Sequence, residues 1–374
     1  MPAITPEALA TDWKIGVEIE LLAPKGASRY DLAVAIARQH QGSIRSFFHP
    51  QSEPSKVPGA PVFENLTLGF EITDKHGSLL ARCVDDLTLQ HDLNRQQVPK
   101  DGWYRIVSDD MRFLRLIMHH SKADAPLAEV LEPAAQLFCS ELARHPDGMV
   151  RLSDDLGASI AIAAPLPGER ERPCELITPP IASDHYQRLN KLLTLAQNLQ
   201  FTAPTEGATH IHFDAARLCS APVIANLIVL LKKHGNALRQ LVGTNPQCTR
   251  LGNWPSAVVE SVQAPDFIRL PWNDVVARLA PLELSKYCDF NLLNMLQGQE
   301  DKHTFEARIF PVWLETESIL LAAGLFAAIL HWAVDSNAQQ GIRAIPEDTA
   351  GLLKMLPMNT QLRAYWLSRL VAQH

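Results

Sequence analysis

Two acidic residues, Glu18 and Glu20, lie in a short segment whose pattern predicts a half-buried strand. Residues 15–21, with the sequence IGVEIEL, alternate apolar residues with glycine and glutamate, as do strands with one buried face. The two carboxylates would share the other face, about 6.6 Å apart along the backbone. Neighbouring carboxylates raise each other's pKa unless a positive charge lies nearby. The pattern therefore predicts a cation over this face.

Three further segments repeat the pattern of an apolar back and polar, ligand-type side chains in front. They are residues 173–180 with Glu175, residues 209–214 with His210, His212 and Asp214, and residues 304–310 with Glu306 and Arg308. Taken alone, such strands are more often solvated sheet faces, or carry ordinary ion pairs. Four of them together would concentrate negative charge on one sheet, and divalent cations are the natural way to neutralise it.

The types of ligand indicate which metal would bind. Sites rich in carboxylates suit Mg²⁺ or Mn²⁺, whereas zinc prefers more histidine or cysteine. Magnesium sites of this kind often complete their coordination with substrate phosphates, so we expect ATP as a cosubstrate. Arg308 and Lys286 could then hold the transferred phosphoryl group. The sequence has neither a GxxxxGK[ST] loop nor a GxGxxG motif after a strand, so ATP would be bound by another architecture.

The composition excludes several classes of protein. A net charge of −7 argues against nucleic-acid binding, and no polybasic tract indicates an anionic membrane surface. The six cysteines are scattered without a CxxC pair, which is typical of reduced cytosolic thiols. The first residues lack the pattern of a signal peptide. We therefore expect a cytoplasmic protein without nucleic-acid or membrane partners.

The order of the predicted elements is irregular. Apolar periodicity predicts helices over residues 30–40, 126–145 and 185–199, and one from an N-cap at Ser220 to about Lys233. Residues 66–73 and 79–84 are predicted to form a hairpin, residues 49–61 a loop, and residues 318–334 a buried core helix that falls just short of spanning a membrane. The Asp-Asp pairs that end residues 105–110 and 151–155 are predicted to mark turns or caps.

Four motifs, in this order, carry a resemblance to a known family. They are GVEIE at residues 16–20, CELITPP at residues 174–180, HIH at residues 210–212 and FEAR at residues 305–308, supported by GTNP at residues 243–246 and KYCDFNLLN at residues 286–294. Over roughly residues 12–315 the chain resembles the amidoligases, within the superfamily of glutamine synthetase and glutamate–cysteine ligase. No single motif is decisive, but their order and spacing are fairly specific.

The resemblance implies an α+β fold of the glutamine synthetase type, in which a curved antiparallel sheet holds two or three divalent metals and ATP on its concave face. It also implies an ATP-dependent carboxylate–amine ligase that works through an acyl phosphate. Glu18 and Glu20 match the first pair of metal ligands, one for each metal, and Glu175 matches a ligand nearer the substrate. His210 and Glu306 match ligands of the metal that binds the nucleotide phosphates. Arg308 matches the arginine that steadies the phosphoryl group.

At a few positions the chain departs from the family pattern. The usual Asp-Gly-Ser motif, which helps to hold the amine, is absent, and only SDDLGAS at residues 153–159 stands in its place, so neither Asp154 nor Asp155 matches the family's amine-binding residue. Asp155 is the candidate general base. Either Glu169 or Glu171 could replace Glu175 as a ligand. His212 either binds substrate or cofactor or packs in the core. Asn291, in the KYCDFNLLN stretch, is a candidate cofactor-binding residue.

Two rival functions stay open, a binuclear metallohydrolase and a catalytically silent nucleotide-binding protein. The hydrolase could use the same histidines and carboxylates, although its common barrel form needs repeated β-α units. For the domain organisation we expect a catalytic domain over residues 12–315, with a hairpin-rich insertion near residues 45–100. A helical segment, residues 316–374, would pack on the same domain. The acid and amine substrates, including whether the acceptor is a peptide or a protein, and the oligomeric state do not follow from the sequence.

Overall fold

The structure, a computed structural model, describes residues 5–57, 60–298, 302–336 and 344–372, with the backbone alone for residues 53–57 and 60–62. Helices and antiparallel strands are mixed along the chain, which makes the protein α+β, as predicted. The chain forms two compact units. Unit 1 comprises Met1–Ile19, Pro180–Thr194 and Glu206–His374, and unit 2 comprises Glu20–Pro179 and Leu195–Thr205.

The strands and helices have the following bounds. The strands are β1 (Ile15–Leu22), β2 (Ser43–Val57), β3 (Ala60–Thr73), β4 (Leu79–Val84), β5 (Tyr104–Ser108), β6 (Ala143–Arg144), β7 (Val150–Ser153), β8 (Ser159–Pro165), β9 (Pro173–Ile177), β10 (Thr209–Asp214), β11 (Phe290–Asn291) and β12 (Thr304–Phe310). The helices are α1 (Arg29–Gln39), α2 (Met111–His120), α3 (Glu132–Leu137), α4 (His185–Asn198), α5 (Ala221–Val242), α6 (Ser256–Gln263), α7 (Trp272–Leu279), α8 (Leu293–Leu296), α9 (Thr316–Asp335), α10 (Thr349–Met355) and α11 (Thr360–Val371).

In unit 1, four strands pair in the order β11–β12–β10–β1, and every pair is antiparallel. One face of these strands is covered by α9, because Phe290 of β11 and Phe310 of β12 both contact Phe326 of that helix, with ring centroids 5.8 Å and 5.2 Å apart. Side chains alternate between the faces of a strand. The apolar residues therefore pack against the helix, and the polar residues between them point to the other face.

Among the described residues, α9 is the one helix long and apolar enough to cross a membrane. In the structure, 72% of its apolar window is buried. Contacts with α5 and α11 account for part of this burial. Such burial is typical of the core helix of a folded domain, which is what its all-round apolar character predicts.

Helix α5 begins where the sequence predicts, with Ser220 at the N-cap position and Pro222 in the first turn. Its predicted end near Lys233 is wrong, because the helix continues for more than two further turns and buries Leu238 and Leu241. It ends at Gly243, whose φ of +75° is the left-handed conformation that glycine adopts without strain.

Unit 2 is built around the long strand β3. Strand β2 pairs along one edge of β3, while β4 and β5 pair with different stretches of the other edge. Strand β9 extends the sheet beyond β4, and β8, β7 and β6 extend it beyond β5. Helix α2 packs on this second branch, burying Leu114 and Ile117 against Leu66 and Ile106.

The predicted hairpin is confirmed as β3–β4, but the predicted loop over residues 49–61 is wrong. The described part of that segment belongs to β2 and β3. The loop was predicted because this segment is rich in proline, including Pro50 and Pro54. Among the described residues β2 pairs only with β3, and an edge strand accepts proline because half of its N–H groups have no partner in the sheet.

The helix predicted over residues 126–145 is also wrong, since only α3 forms there and β6 follows it. Pro133 lies in the first turn of α3 and cannot continue a helix from upstream. Cys139, with a φ of +51°, follows the end of the helix.

The prediction for the two Asp-Asp pairs is confirmed. Asp110 caps α2 by accepting a hydrogen bond from the Arg112 N–H, and Asp154 accepts two from the backbone of the β7–β8 turn.

Candidate active site

The register of three strands in unit 1 brings four of the predicted residues onto neighbouring positions. Glu18 on β1 is directly opposite His210 on β10, and His212, two residues further, is opposite Glu306 on β12. The position opposite His212 on β1 is Gly16. Because glycine has no side chain, the His212 ring has room to turn towards Glu18. Glu18, His210, His212 and Glu306 therefore lie together, and the roles predicted for them stay predictions.

The four side chains are buried and lie within a few ångströms of one another. His210 Nδ1 is 3.4 Å from Glu18 Oε2, and His212 Nε2 is 3.2 Å from Glu18 Oε1. Both imidazoles also lie 3.7 Å from Glu306 Oε1. Glu18, His212 and Glu306 each offer one ligand atom, and these atoms all lie within 4.8 Å of one another. The group could hold a metal ion.

Neighbouring polar groups orient these ligands. His212 Nδ1 lies 3.0 Å from the Thr304 hydroxyl, which leaves Nε2 directed at the two carboxylates. The Asn291 amide donates a 2.8 Å hydrogen bond to Glu306 Oε2, and strand pairing places Asn291 opposite Glu306. Metal-binding histidines and carboxylates commonly have such partners, which fix their orientation. Asn291 thus orients Glu306, and its predicted role in binding cofactor stays a prediction.

Two cations contact the carboxylates. Arg308 Nη1 lies 2.5 Å from Glu306 Oε1, so the predicted pairing of these two residues on one face is confirmed. Lys302 Nζ lies 2.9 Å from Glu18 Oε1. Lys286, which the sequence predicted to hold the phosphoryl group, has its ammonium 5.2 Å from the ring centroid of Tyr287. The alternation of β12 does not extend to Lys302, which precedes the strand, so no local pattern marks this residue.

Strand β12 has a β-bulge between Ala307 and Phe310, in the interval that contains Arg308. Thr209 is opposite Phe310, whereas Ile211 is opposite Ala307, so β12 has one more residue than β10 over this interval. A bulge of this kind bends the strand and changes the direction of a side chain. The backbone N–H of Arg308 instead donates to the carbonyl of Asp289 at 2.9 Å.

Burial and charge fix the protonation of the carboxylates and of His210. Burial raises the pKa of Glu18, but neighbouring His212 and Lys302 outweigh it and hold this pKa well below its usual range. The pKa of Glu306 is lowered as well, because His212 and Arg308 together outweigh the effect of its burial. Burial and the charge of Arg308 lower the pKa of His210 to about 4. At neutral pH the site therefore presents ionised carboxylates and a neutral His210, the forms that bind metals.

The ligand set fits the predicted metals. Two carboxylates with one or two imidazoles suit a divalent cation that accepts oxygen and nitrogen ligands, such as Mg²⁺ or Mn²⁺. Side-chain cations lie against both carboxylates, which is consistent with the prediction of a positive charge over this face.

The other candidate residues belong to unit 2. Glu20 is fully buried on β1, and Glu175 lies on β9. Asp155 is exposed in the β7–β8 turn, next to Asp154, whose carboxylate is used by that turn. The carboxylate of Glu169 is held by Arg172. The roles predicted for these acids, and for Glu171, stay predictions.

Comparison with known proteins adds an independent finding. Residues 11–330 match the family model described as "Putative amidoligase enzyme". A search of curated proteins found no match. The matched range covers most of the chain and includes Glu18, His212, Glu306 and Arg308. The chain therefore belongs to the amidoligase family, a family of enzymes of the ligase type.

Proposed function

We propose that the protein is an ATP-dependent carboxylate–amine ligase that forms an amide or peptide bond through an acyl phosphate. The observation that carries the proposal is the convergence of Glu18, His212 and Glu306, with Arg308 beside them, inside a chain of the amidoligase family. A glutamine synthetase-like sheet with the site on its concave face, and location in the cytoplasm, are part of the same proposal.

The chemistry requires activation of the acid. A carboxylate is a poor acyl electrophile because its negative charge opposes attack by an amine. In the first step a carboxylate oxygen of the substrate attacks the γ-phosphorus of ATP, the bond to the bridging oxygen breaks and ADP leaves. In the second step the amine nitrogen attacks the acyl carbon, phosphate leaves and a base takes the proton from nitrogen.

The residues of unit 1 supply charge and position for the first step. Glu18, His212 and Glu306, with His210 beside them, would hold Mg²⁺ or Mn²⁺, which supplies positive charge for the phosphate oxygens. Arg308 is held in place by Glu306 and by the backbone hydrogen bond to Asp289, so its fixed charge needs no reorganisation during phosphoryl transfer. Asn291 and Thr304 keep the ligands oriented.

The remaining roles rest on the family resemblance. Glu20 and Glu175 would be further metal ligands, Asp155 the base that accepts the amine proton, and Lys286 a second contact to phosphate. The partners are then ATP, a carboxylate and an amine, and the acceptor is a small molecule, a peptide or a protein side chain.

The test is release of ADP from ATP and Mg²⁺ across a panel of carboxylates and amines. We expect an ADP signal that needs both an acid and an amine. It should fall at least about 100-fold in Glu306→Gln and in Glu20→Ala, because loss of a ligand removes charge that the transition state needs. Glu315→Gln, an exposed acid that precedes α9, is the matched control and should keep the wild-type rate.

Three outcomes would contradict the proposal. One is ADP formation that is unchanged in Glu306→Gln. Another is hydrolysis of amides or esters without ATP, which would favour the binuclear metallohydrolase. The last is metal-dependent ATP binding without ADP formation over the whole panel, which would favour a silent nucleotide-binding protein.

A further inference from the structure

The cluster in unit 1 is balanced in charge before any metal binds. The two carboxylates of Glu18 and Glu306 are each in contact with one cation, Lys302 and Arg308 respectively. A divalent cation placed among these ligands would lie within a few ångströms of both side-chain cations. Like charges at such distances repel each other strongly at a buried site. Metal binding therefore requires that at least one of the two cations move.

The two cations differ in their freedom to move. The side chain of Arg308 is 10% exposed, and its backbone is held by Asp289. The side chain of Lys302 is 46% exposed. A lysine is a flexible chain with a compact, strongly hydrated charge, so the half-exposed ammonium of Lys302 can turn to solvent. Lys302 is the cation that can leave.

The position of Lys302 bears directly on the metal ligands. Its ammonium contacts Glu18 Oε1, the same oxygen that lies 3.2 Å from His212 Nε2. A metal ion shared by Glu18 and His212 would need that oxygen. Lys302 thus lies where it competes with the metal for Glu18.

We propose that Lys302 is an exchangeable cation, which occupies Glu18 in the metal-free protein and is displaced when the metal binds. The displaced ammonium would then be available to bind a phosphate group held at the same site. Lys302 would be a positioning residue that couples metal binding to phosphate binding. This inference rests on the metal centre of the proposed function.

The experiment measures Mn²⁺ binding, without turnover, by the EPR signal of free Mn²⁺. Lys302→Gln should bind Mn²⁺ roughly three- to tenfold more tightly than wild type in the absence of phosphate ligands, because a competing charge is gone. Addition of ADP should tighten Mn²⁺ binding in wild type and do so less in Lys302→Gln. Lys302→Arg, which keeps the positive charge, should restore the effect of ADP on Mn²⁺ binding. If Lys302 had only a structural role, this effect would not depend on its charge.

Lys14→Gln is the matched control. Lys14 is 50% exposed, lies in the same unit and pairs with an acid, Asp214, at 3.6 Å, so its loss should leave both measurements at the wild-type value. If wild type binds Mn²⁺ and Lys302→Gln behaves like Lys14→Gln, the inference about Lys302 is overturned while the metal centre stands. If wild type binds no Mn²⁺ at all, the metal centre fails and the inference fails with it.

Discussion

Each unit contains a cluster of buried charges, and the two clusters are built in opposite ways. In unit 2, the side chains of Arg29, Asp85 and Arg170 are almost fully buried, and Asp85 lies 2.5 Å from Arg170. The two arginines also donate hydrogen bonds to backbone carbonyls. Arg29 donates to the carbonyl of Leu68, and Arg170 donates to that of Asp86. Arg29 also stacks on Trp103 at 4.3 Å.

The cluster in unit 1 is rich in acceptors. Its members contribute two carboxylates and two imidazoles, from Glu18, Glu306, His210 and His212. Among the cations in contact with this cluster, Lys302 is the more exposed to solvent. A cluster whose guanidinium groups donate mainly to backbone carbonyls and to one buried carboxylate has a structural role, since it joins distant segments of the fold. A cluster that gathers carboxylates and imidazoles is suited to binding a cation from solution.

The largest effect should come from breaking the cluster in unit 2. Arg170→Met would leave the carboxylate of Asp85 buried without its 2.5 Å partner. Removal of one member of a buried ion pair typically costs about 3–5 kcal/mol. We expect this loss in the free energy of unfolding, measured by urea denaturation of the metal-free protein.

Glu18→Gln is the corresponding change in unit 1, and it should cost less than Arg170→Met, because the glutamine amide keeps a hydrogen-bonding group among the histidines and the ammonium of Lys302 can turn to solvent. If Glu18→Gln destabilises the metal-free protein as much as Arg170→Met does, the distinction between a structural and a binding cluster is wrong.

A smaller effect should appear in the pH dependence of stability. The pKa of His210 is lowered by burial to about 4 in the folded protein, against an ordinary value of 6.5. The unfolded chain therefore binds more protons, so the stability that His210 contributes is complete above pH 6.5 and is lost as the pH falls towards 4. Between pH 7 and pH 5 the loss should be about 2 kcal/mol.

Urea denaturation at several pH values measures this loss, and His210→Gln should remove most of it. An NMR titration of the His210 ring, assigned by the signal missing from His210→Gln, provides the direct check. A midpoint near 6.5 in the folded protein would show that the imidazole is not held neutral by the cluster.

The strands of the site could be predicted because their chemistry and their periodicity coincide. Alternation gave β1, β10 and β12 to within a residue, and it put Glu306 and Arg308 on one face. Strand pairing could not be deduced from alternation, because the register depends on which residues of different strands face each other. The contacts of His212 with both Glu18 and Glu306 follow from that register and from the absence of a side chain at Gly16.

Other features lie outside what local pattern can show. The bulge at Arg308 depends on the partner strand, and Lys302 precedes β12 rather than belonging to it. Arg29 and Arg170 read as ordinary surface residues in the sequence, because the carbonyl groups that hold them come from distant segments. All six cysteines are free thiols, as their scattered spacing predicts.

The most direct test of the metal centre is pulsed EPR of Mn²⁺ bound to the wild-type protein and to His212→Gln. His331→Gln, a histidine of the same unit that contacts Asp12 at 2.7 Å, is the control. We predict nitrogen coupling to bound Mn²⁺ in wild type and in the control, and a clear loss of that coupling in His212→Gln. Bound Mn²⁺ without nitrogen coupling in wild type, or with the same coupling in His212→Gln, would contradict the assignment of Glu18, His212 and Glu306 as a metal centre.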